Sequence, residues 1–164
     1  ISFVLCLASC FFSCKYSKQY QVINANNQFI ISVPSWMKEE KTLAPGAPFQ
    51  YSNRFRNIYA IGFASDKDTA KQDFNYYWNK NVVALKKSLN SPLVTDSMPV
   101  EISGLKGERA EIFGKLNGEN IYFSEVMLEG KTKFYHISIW VRGEQRKLRF
   151  KEDINKIIAS FREI

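Results

Sequence analysis

The sequence predicts a single α+β domain in which an antiparallel β-sheet packs against two main helices. Three observations carry that expectation. The second half contains three long runs rich in β-branched and aromatic residues, separated by the turn dipeptides Asn117-Gly118 and Glu129-Gly130. Two other segments repeat apolar residues at helical spacing, one from Phe74 to Leu89 and one from Ile154 to Phe161. No repeat or low-complexity tract interrupts the pattern, and the 45% apolar and 24% charged residues are ordinary values for a folded chain, so a second domain or a disordered one is not expected.

Residues 1–14 stand apart from that domain. They form an uncharged apolar run that stops at Lys15 and contains all three cysteines, Cys6, Cys10 and Cys14. The run is shorter than the ~20 residues that cross a bilayer, and it suits the hydrophobic region of a secretory signal. Residues 15–19 read as a short polar tether and residues 20–164 as the domain. Some 150 residues are enough to bury a core without disulfides.

Within the domain, residues 20–25 and 28–33 read as two strands turning at Asn26-Asn27. Pro34-Ser35-Trp36 ends the second, because proline cannot donate to a ladder. Residues 38–48 form a charged loop containing Pro and Gly, and residues 49–52 and 58–64 are strands joined around Asn53-Arg54-Phe55-Arg56-Asn57. Ser65 and Asp68 have the spacing of a capping box, with Asp in place of Glu. Phe74, Trp78, Val82, Leu85 and Leu89 then mark one helix face, with Lys71, Lys80, Lys86 and Lys87 mainly away from it. Asn90-Ser91-Pro92 closes this helix, and a link through Asp96, Met98 and Pro99 follows. Residues 107–114, 120–129 and 133–142 make an antiparallel meander, and a last helix over residues 151–161 buries Ile154, Ile157, Ile158 and Phe161.

The cysteine-bearing run resembles the end of a bacterial lipoprotein signal peptide. Leu7-Ala8-Ser9-Cys10 matches the lipobox pattern closely. Phe11-Phe12-Ser13-Cys14 departs from it at the first position, but Lys15 follows at once, and the Ser-Cys-Lys ending is similar to signals of Bacteroidetes-type bacteria. Lipidation at Cys10 would leave Phe11 and Phe12 exposed beside the anchor, so Cys14 is the expected attachment site and Cys10 its alternative. An uncleaved anchor or plain secretory signal is the remaining reading. The resemblance implies a bacterial cell envelope protein held to a membrane, periplasmic or surface-facing, by covalent acyl chains such as palmitate. One chain alone binds only marginally, and mature bacterial lipoproteins carry several.

The domain resembles the PsbP/Mog1-like fold, an α/β/α sandwich. Phe29-Ile30-Ile31-Ser32-Val33-Pro34 with Trp36 is similar to its opening strand. Residues 102–114, then Ile121-Tyr122-Phe123 and Phe134-Tyr135-His136-Ile137, resemble its central meander. Asp153-Ile154 through Ile157-Ile158-Ala159-Ser160-Phe161 resembles its closing helix. Members of that family are mostly non-catalytic and bind larger assemblies, such as a photosystem, or small GTPases. The resemblance implies a binding module, and it brings no functional residue with it.

The chemistry available to the domain is limited. Without cysteine beyond residue 14 there is no thiolate zinc site, cysteine nucleophile or disulfide framework. His136 is the only histidine, on a strand face shared with Phe134, Ser138 and Trp140, and no Gly-x-Ser-x-Gly elbow accompanies it. It reads as a hydrogen-bonded core or rim residue. Glu108, Glu111, Glu125 and Glu129 lie on neighbouring strands beside Arg109 and Lys115, which suits cross-strand ion pairs. Asp66 and Asp68 lack a calcium-loop pattern and read as helix-capping groups, so neither a metal nor a cofactor is expected.

The formal charge is +7, and Arg142, Arg146, Lys147, Arg149 and Lys151 concentrate part of it. That segment suits contact with lipid headgroups or an acidic partner, or else the solvated start of the last helix. Nucleic acid is not expected as a partner, since RRM and KH patterns are absent. Aromatics reach 15%, and helical geometry leaves Tyr76 the most exposed of Tyr76, Tyr77 and Trp78, as a partner anchor or as plain surface. The expected function is a membrane-anchored, non-catalytic binding or accessory module whose partner is another envelope protein. The alternatives are a carrier of a small apolar ligand and an envelope hydrolase using carboxylates and His136.

Overall fold

The computed structural model of the chain describes residues 19–67, 73–95 and 97–164. Cys10, Cys14 and the tether through Lys18 lie outside the described residues, as do Asp68, Lys71 and Asp96.

The chain begins with a hairpin. Tyr20–Ala25 (β1) pairs antiparallel with Phe29–Pro34 (β2), Tyr20 opposite Pro34 and Ala25 opposite Phe29. Asn26 and Asn27 turn it with φ values of 51° and 55°, a left-handed conformation that asparagine tolerates better than most residues. The short strand Arg162–Glu163 (β11) joins the other edge of β2, so the end of the chain closes on its beginning.

A larger antiparallel sheet forms the body. Its strands are Lys38–Glu39 (β3), Phe49–Asn53 (β4), Ile58–Asp66 (β5), Asn90–Val94 (β6), Met98–Ile102 (β7), Leu105–Leu116 (β8), Glu119–Glu129 (β9) and Lys133–Arg142 (β10). They are ordered β3-β4-β5-β10-β9-β8-β6, with β7 also paired to β8. Two helices complete the fold, Phe74–Ser88 (α1) and Glu144–Ala159 (α2).

Strand alternation gives the sheet two apolar faces. On β10, Tyr135, Ile137, Ile139 and Val141 point to the main core, which they share with Phe29, Ile31 and Val33 of β2 and with Phe150, Ile154, Ile157 and Ile158 of α2. Phe134 points to the opposite face, where Tyr77 and Trp78 of α1 pack with Ala110 and Met127. The result is the expected α+β domain, a sheet between helical layers.

Three local expectations change. The cap of α1 is Asp73, whose carboxylate accepts from the Tyr76 N–H at 2.7 Å, and not Ser65. Ser65 belongs to β5 because pairing with β10 continues through Phe134 opposite Ser65 and Lys133 opposite Asp66, reinforced by a Lys133–Asp66 ion pair at 2.7 Å. The stretch read as a helix stop and a link forms β6 and β7, edge strands on which Pro92 and Pro99 withdraw no central ladder bond. Finally, α2 starts at Glu144, because Phe150 extends the buried stripe one turn before Ile154. Phe161 lies just beyond the helix and is fully buried.

Trp78 is 9% exposed, at the α1 layer. Trp78→Ala is expected to cost about 3 kcal/mol, the low end for a large aromatic, since the site borders solvent. Urea unfolding followed by circular dichroism measures it. A change below about 1 kcal/mol would contradict the packing of α1.

Candidate functional site

The only histidine of the sequence joins an acid–base cluster across β9 and β10. Their register sets Glu125 opposite Ser138 and Met127 opposite His136, so Glu125 and His136 are diagonal neighbours on one face. His136 Nε2 lies 2.5 Å from Glu125 Oε2, and the Ser138 hydroxyl donates to Glu125 Oε1. Glu125 is 2% exposed, and both its oxygens are thus engaged. Serine hydrolases need the hydroxyl bonded to the imidazole and the imidazole to the acid. Here the hydroxyl and the imidazole both address the carboxylate, so His136 is not the partner of the Ser138 hydroxyl. The cluster is a carboxylate hub that ties two central strands together.

The remaining glutamates do not converge on it. Glu129 pairs with Lys67 at 2.7 Å, and Glu108 falls in the row of Met127. Glu111 lies on the other face, 3.0 Å from Lys147 and 3.9 Å from Arg109. Burial opposes its ionisation, but hydrogen bonds from Tyr122 and Lys147 hold its carboxyl below the usual range. Burial, then the Glu111 bond, pushes the Tyr122 phenol up. No group of three or more His, Cys, Asp or Glu among the described residues is placed to hold a metal ion.

The basic cluster separates into parts. Lys147 turns inward over the sheet, its ammonium 4.3 Å from the Phe113 ring and 4.8 Å from the Tyr122 ring. Beside it is an open cavity of about 500 Å³ whose lining includes Phe113, Lys115, Ile121, Tyr122, Lys147 and Leu148. Arg142 reaches the opposite face, 5.6 Å from the Tyr59 ring and 3.6 Å from Glu119. Arg146 donates to the Arg142 carbonyl at 2.8 Å, Arg149 lies over Phe150, and Lys151 is exposed. Tyr76 is 52% exposed, as its helical position predicts.

Two surface features were not legible as sites in the sequence. On the face that carries α1, the helix packs toward β6 and β8 and leaves Ile61 and Phe63 of β5 and Trp140 of β10 only half-buried. Trp140 stacks between Tyr59 and Phe123, with centroid distances of 5.3 and 5.7 Å. The turn between β4 and β5 holds Phe55 98% exposed, between Arg54 and Arg56. No helix among the described residues is long and apolar enough to cross a membrane.

No protein-family model and no curated protein sequence matches the chain. Solved structures share its fold. CyanoP, the cyanobacterial PsbP of Synechocystis sp. PCC 6803, superposes with a TM-score of 0.62 at 14% identity, over 96% of this chain and 99% of that one. The Saccharomyces cerevisiae Ran-binding protein Mog1p gives 0.63 at 13% identity, over 90% and 96%. LpqN, described as involved in cell envelope biogenesis of Mycobacterium tuberculosis, gives 0.59 at 9% identity, over 87% and 89%. The chain therefore has the PsbP/Mog1-like architecture that its sequence resembles. At these identities the likeness concerns the fold alone.

Proposed function

We propose that the protein is a bacterial envelope lipoprotein, anchored through Cys14 with Cys10 as the alternative, whose domain is a non-catalytic binding or accessory module for another envelope protein. The observation that carries this reading is the closed hub at Glu125. The only histidine is committed to a buried carboxylate whose other oxygen is also bonded, which leaves no nucleophile–base pair there. The half-open strip of Ile61, Phe63 and Trp140 supplies the kind of aromatic surface on which protein partners anchor. Partner binding by Mog1p, described as Ran-binding, and the envelope role described for LpqN agree with this reading as analogies of fold.

Two measurements test it. Mass spectrometry of the protein from its own membrane fraction is expected to find an acylated Cys14, and Cys14→Ser to release the protein from that fraction. A photo-crosslinking residue at Phe63 or Trp140 is expected to capture one envelope protein reproducibly, whereas the same residue at Thr132, in the turn between β9 and β10, does not. An unmodified N-terminal segment would overturn the anchoring. Loss of physiological activity in a folded His136→Gln variant, without crosslinks at Phe63 or Trp140, would put the hydrolase in its place. The cavity beside Lys147 favours a second reading, a carrier. Phe113, Ile121, Tyr122 and Leu148 would hold an apolar body, with Lys115 at the rim for a polar end.

A further inference from the structure

We infer that the end of the domain carrying the β4–β5 turn docks on an anionic lipid bilayer, with Phe55 entering the interface. The turn is a built projection. Arg56 N–H donates to the Asn53 carbonyl at 3.1 Å and to Asn53 Oδ1 at 3.0 Å, and Asn57 N–H donates to the Arg54 carbonyl at 3.2 Å. Asn57 takes the positive φ of 51° that closes it. At 98% exposure the Phe55 ring contributes nothing to the core.

Arginines cluster at this end of the domain. Arg54 and Arg56 flank it in the chain, and the pairing of Ile58 with Val141 brings Arg142 and the start of α2 alongside. The Asn57 amide, oriented with its oxygen toward the guanidinium, accepts from Arg146 Nη1 at 2.7 Å. Arg56 lies 4.3 Å from the Trp36 ring, and Trp36 packs on Phe150, which carries Arg149. Glu40, paired with Arg54, and Glu119, near Arg142, offset only part of this charge. Arginine around a lone exposed aromatic suits anionic headgroups over an apolar layer. A convex tip enters a fluid surface directly, whereas a folded acidic partner would need a cavity shaped for the ring.

The start of the domain lies at the same end. Ser35 N–H donates to the Gln19 carbonyl at 2.9 Å, Tyr20 sits opposite Pro34, and the Asn53 side chain donates to the Trp36 carbonyl at 2.8 Å. The chain thus enters the domain beside the strand that leads into the turn. Residues 15–19 span about 17 Å when extended, so a lipid on Cys14 would hold this end against the bilayer. That step rests on the lipoprotein reading. The exposed ring and its arginines do not.

The test uses the full chain with Cys6, Cys10 and Cys14 replaced by serine, and one environment-sensitive NBD label at Phe55→Cys or, as reference, at Thr132→Cys. With vesicles of phosphatidylglycerol and phosphatidylcholine, emission at position 55 is expected to rise about threefold and shift to the blue. It should weaken in about 0.5 M salt, and it should fall to the level of neutral vesicles when Arg54→Gln and Arg56→Gln are added. Position 132 should not respond. Vesicle-bound protein whose label at 55 stays in water would overturn the inference, as would a response equal on neutral vesicles or capture by an acidic protein in place of lipid. Acylation is read separately by mass, so failure of the anchor and failure of the docking surface remain distinct outcomes.

Discussion

Phe29→Ala is expected to lower stability by about 4–5 kcal/mol, the upper part of the range for a buried aromatic. Phe29 is fully buried on β2, and its ring meets Phe49 at 6.4 Å, Tyr135 at 6.0 Å and Phe161 at 5.3 Å. It therefore joins the N-terminal hairpin, the central sheet and the end of the chain. The backbone is shaped to receive it. A Cβ on Gly62 would fall 2.9 Å from Phe29 Cζ, so β5 is bare where the ring lies down. Neighbouring aromatic rings cannot swing into the space that truncation opens, and the loss includes a cavity as well as transfer free energy. Phe29→Leu should cost far less, about 1–1.5 kcal/mol, because most of the volume is retained. Urea unfolding followed by circular dichroism measures both. A loss below about 1 kcal/mol for alanine would mean that the hairpin does not close the core.

The position of Phe29 is legible in the sequence for the same reason that its loss is costly. Phe29, Ile31 and Val33 alternate with outward residues, and period-two alternation survives without knowledge of partners. The long meander is legible likewise, and β10 runs over Lys133–Arg142 as expected. Where burial is weak the pattern fades. Strands β6 and β7 lie at edges with mostly exposed side chains, so Pro92 and Pro99 are their loudest sequence signal. The first two turns of α2 are dominated by Arg and Lys, and Leu148 is 76% exposed, which masks the stripe begun by Phe150. The candidate sites depend on register and exposure. Nothing local places Glu125 beside His136, since the contact arises from the β9–β10 pairing. Phe55 reads as a joint because a turn residue carries no mark of the direction in which it points.

Glu125→Ala is expected to cost about 3–5 kcal/mol, because it removes the acceptor on which a largely covered imidazole and a buried hydroxyl depend. The Ser138 side chain sits in a residue 5% exposed, and the His136 side chain is 14% exposed, so water has little access to replace the lost bonds. Glu125→Gln keeps the shape and one acceptor oxygen for Ser138, and its amide still faces His136 in the tautomer that accepts at Nε2. About 1–2 kcal/mol is the expected loss there. A third variant tests the hub as architecture. Replacing Glu125, His136 and Ser138 together by leucine, phenylalanine and valine should recover much of the alanine loss, since apolar groups of matched volume can stand in for a buried polar set. A catalytic hub would behave in the opposite way, with Glu125→Gln folding normally and losing activity outright. Unfolding free energies for the three variants, measured beside crosslinking to the partner, separate the cases. A loss below about 1 kcal/mol for Glu125→Ala would remove the structural role. Partner capture that survives in the folded triple replacement would assign the hub to the scaffold and the recognition to the aromatic strip beside it.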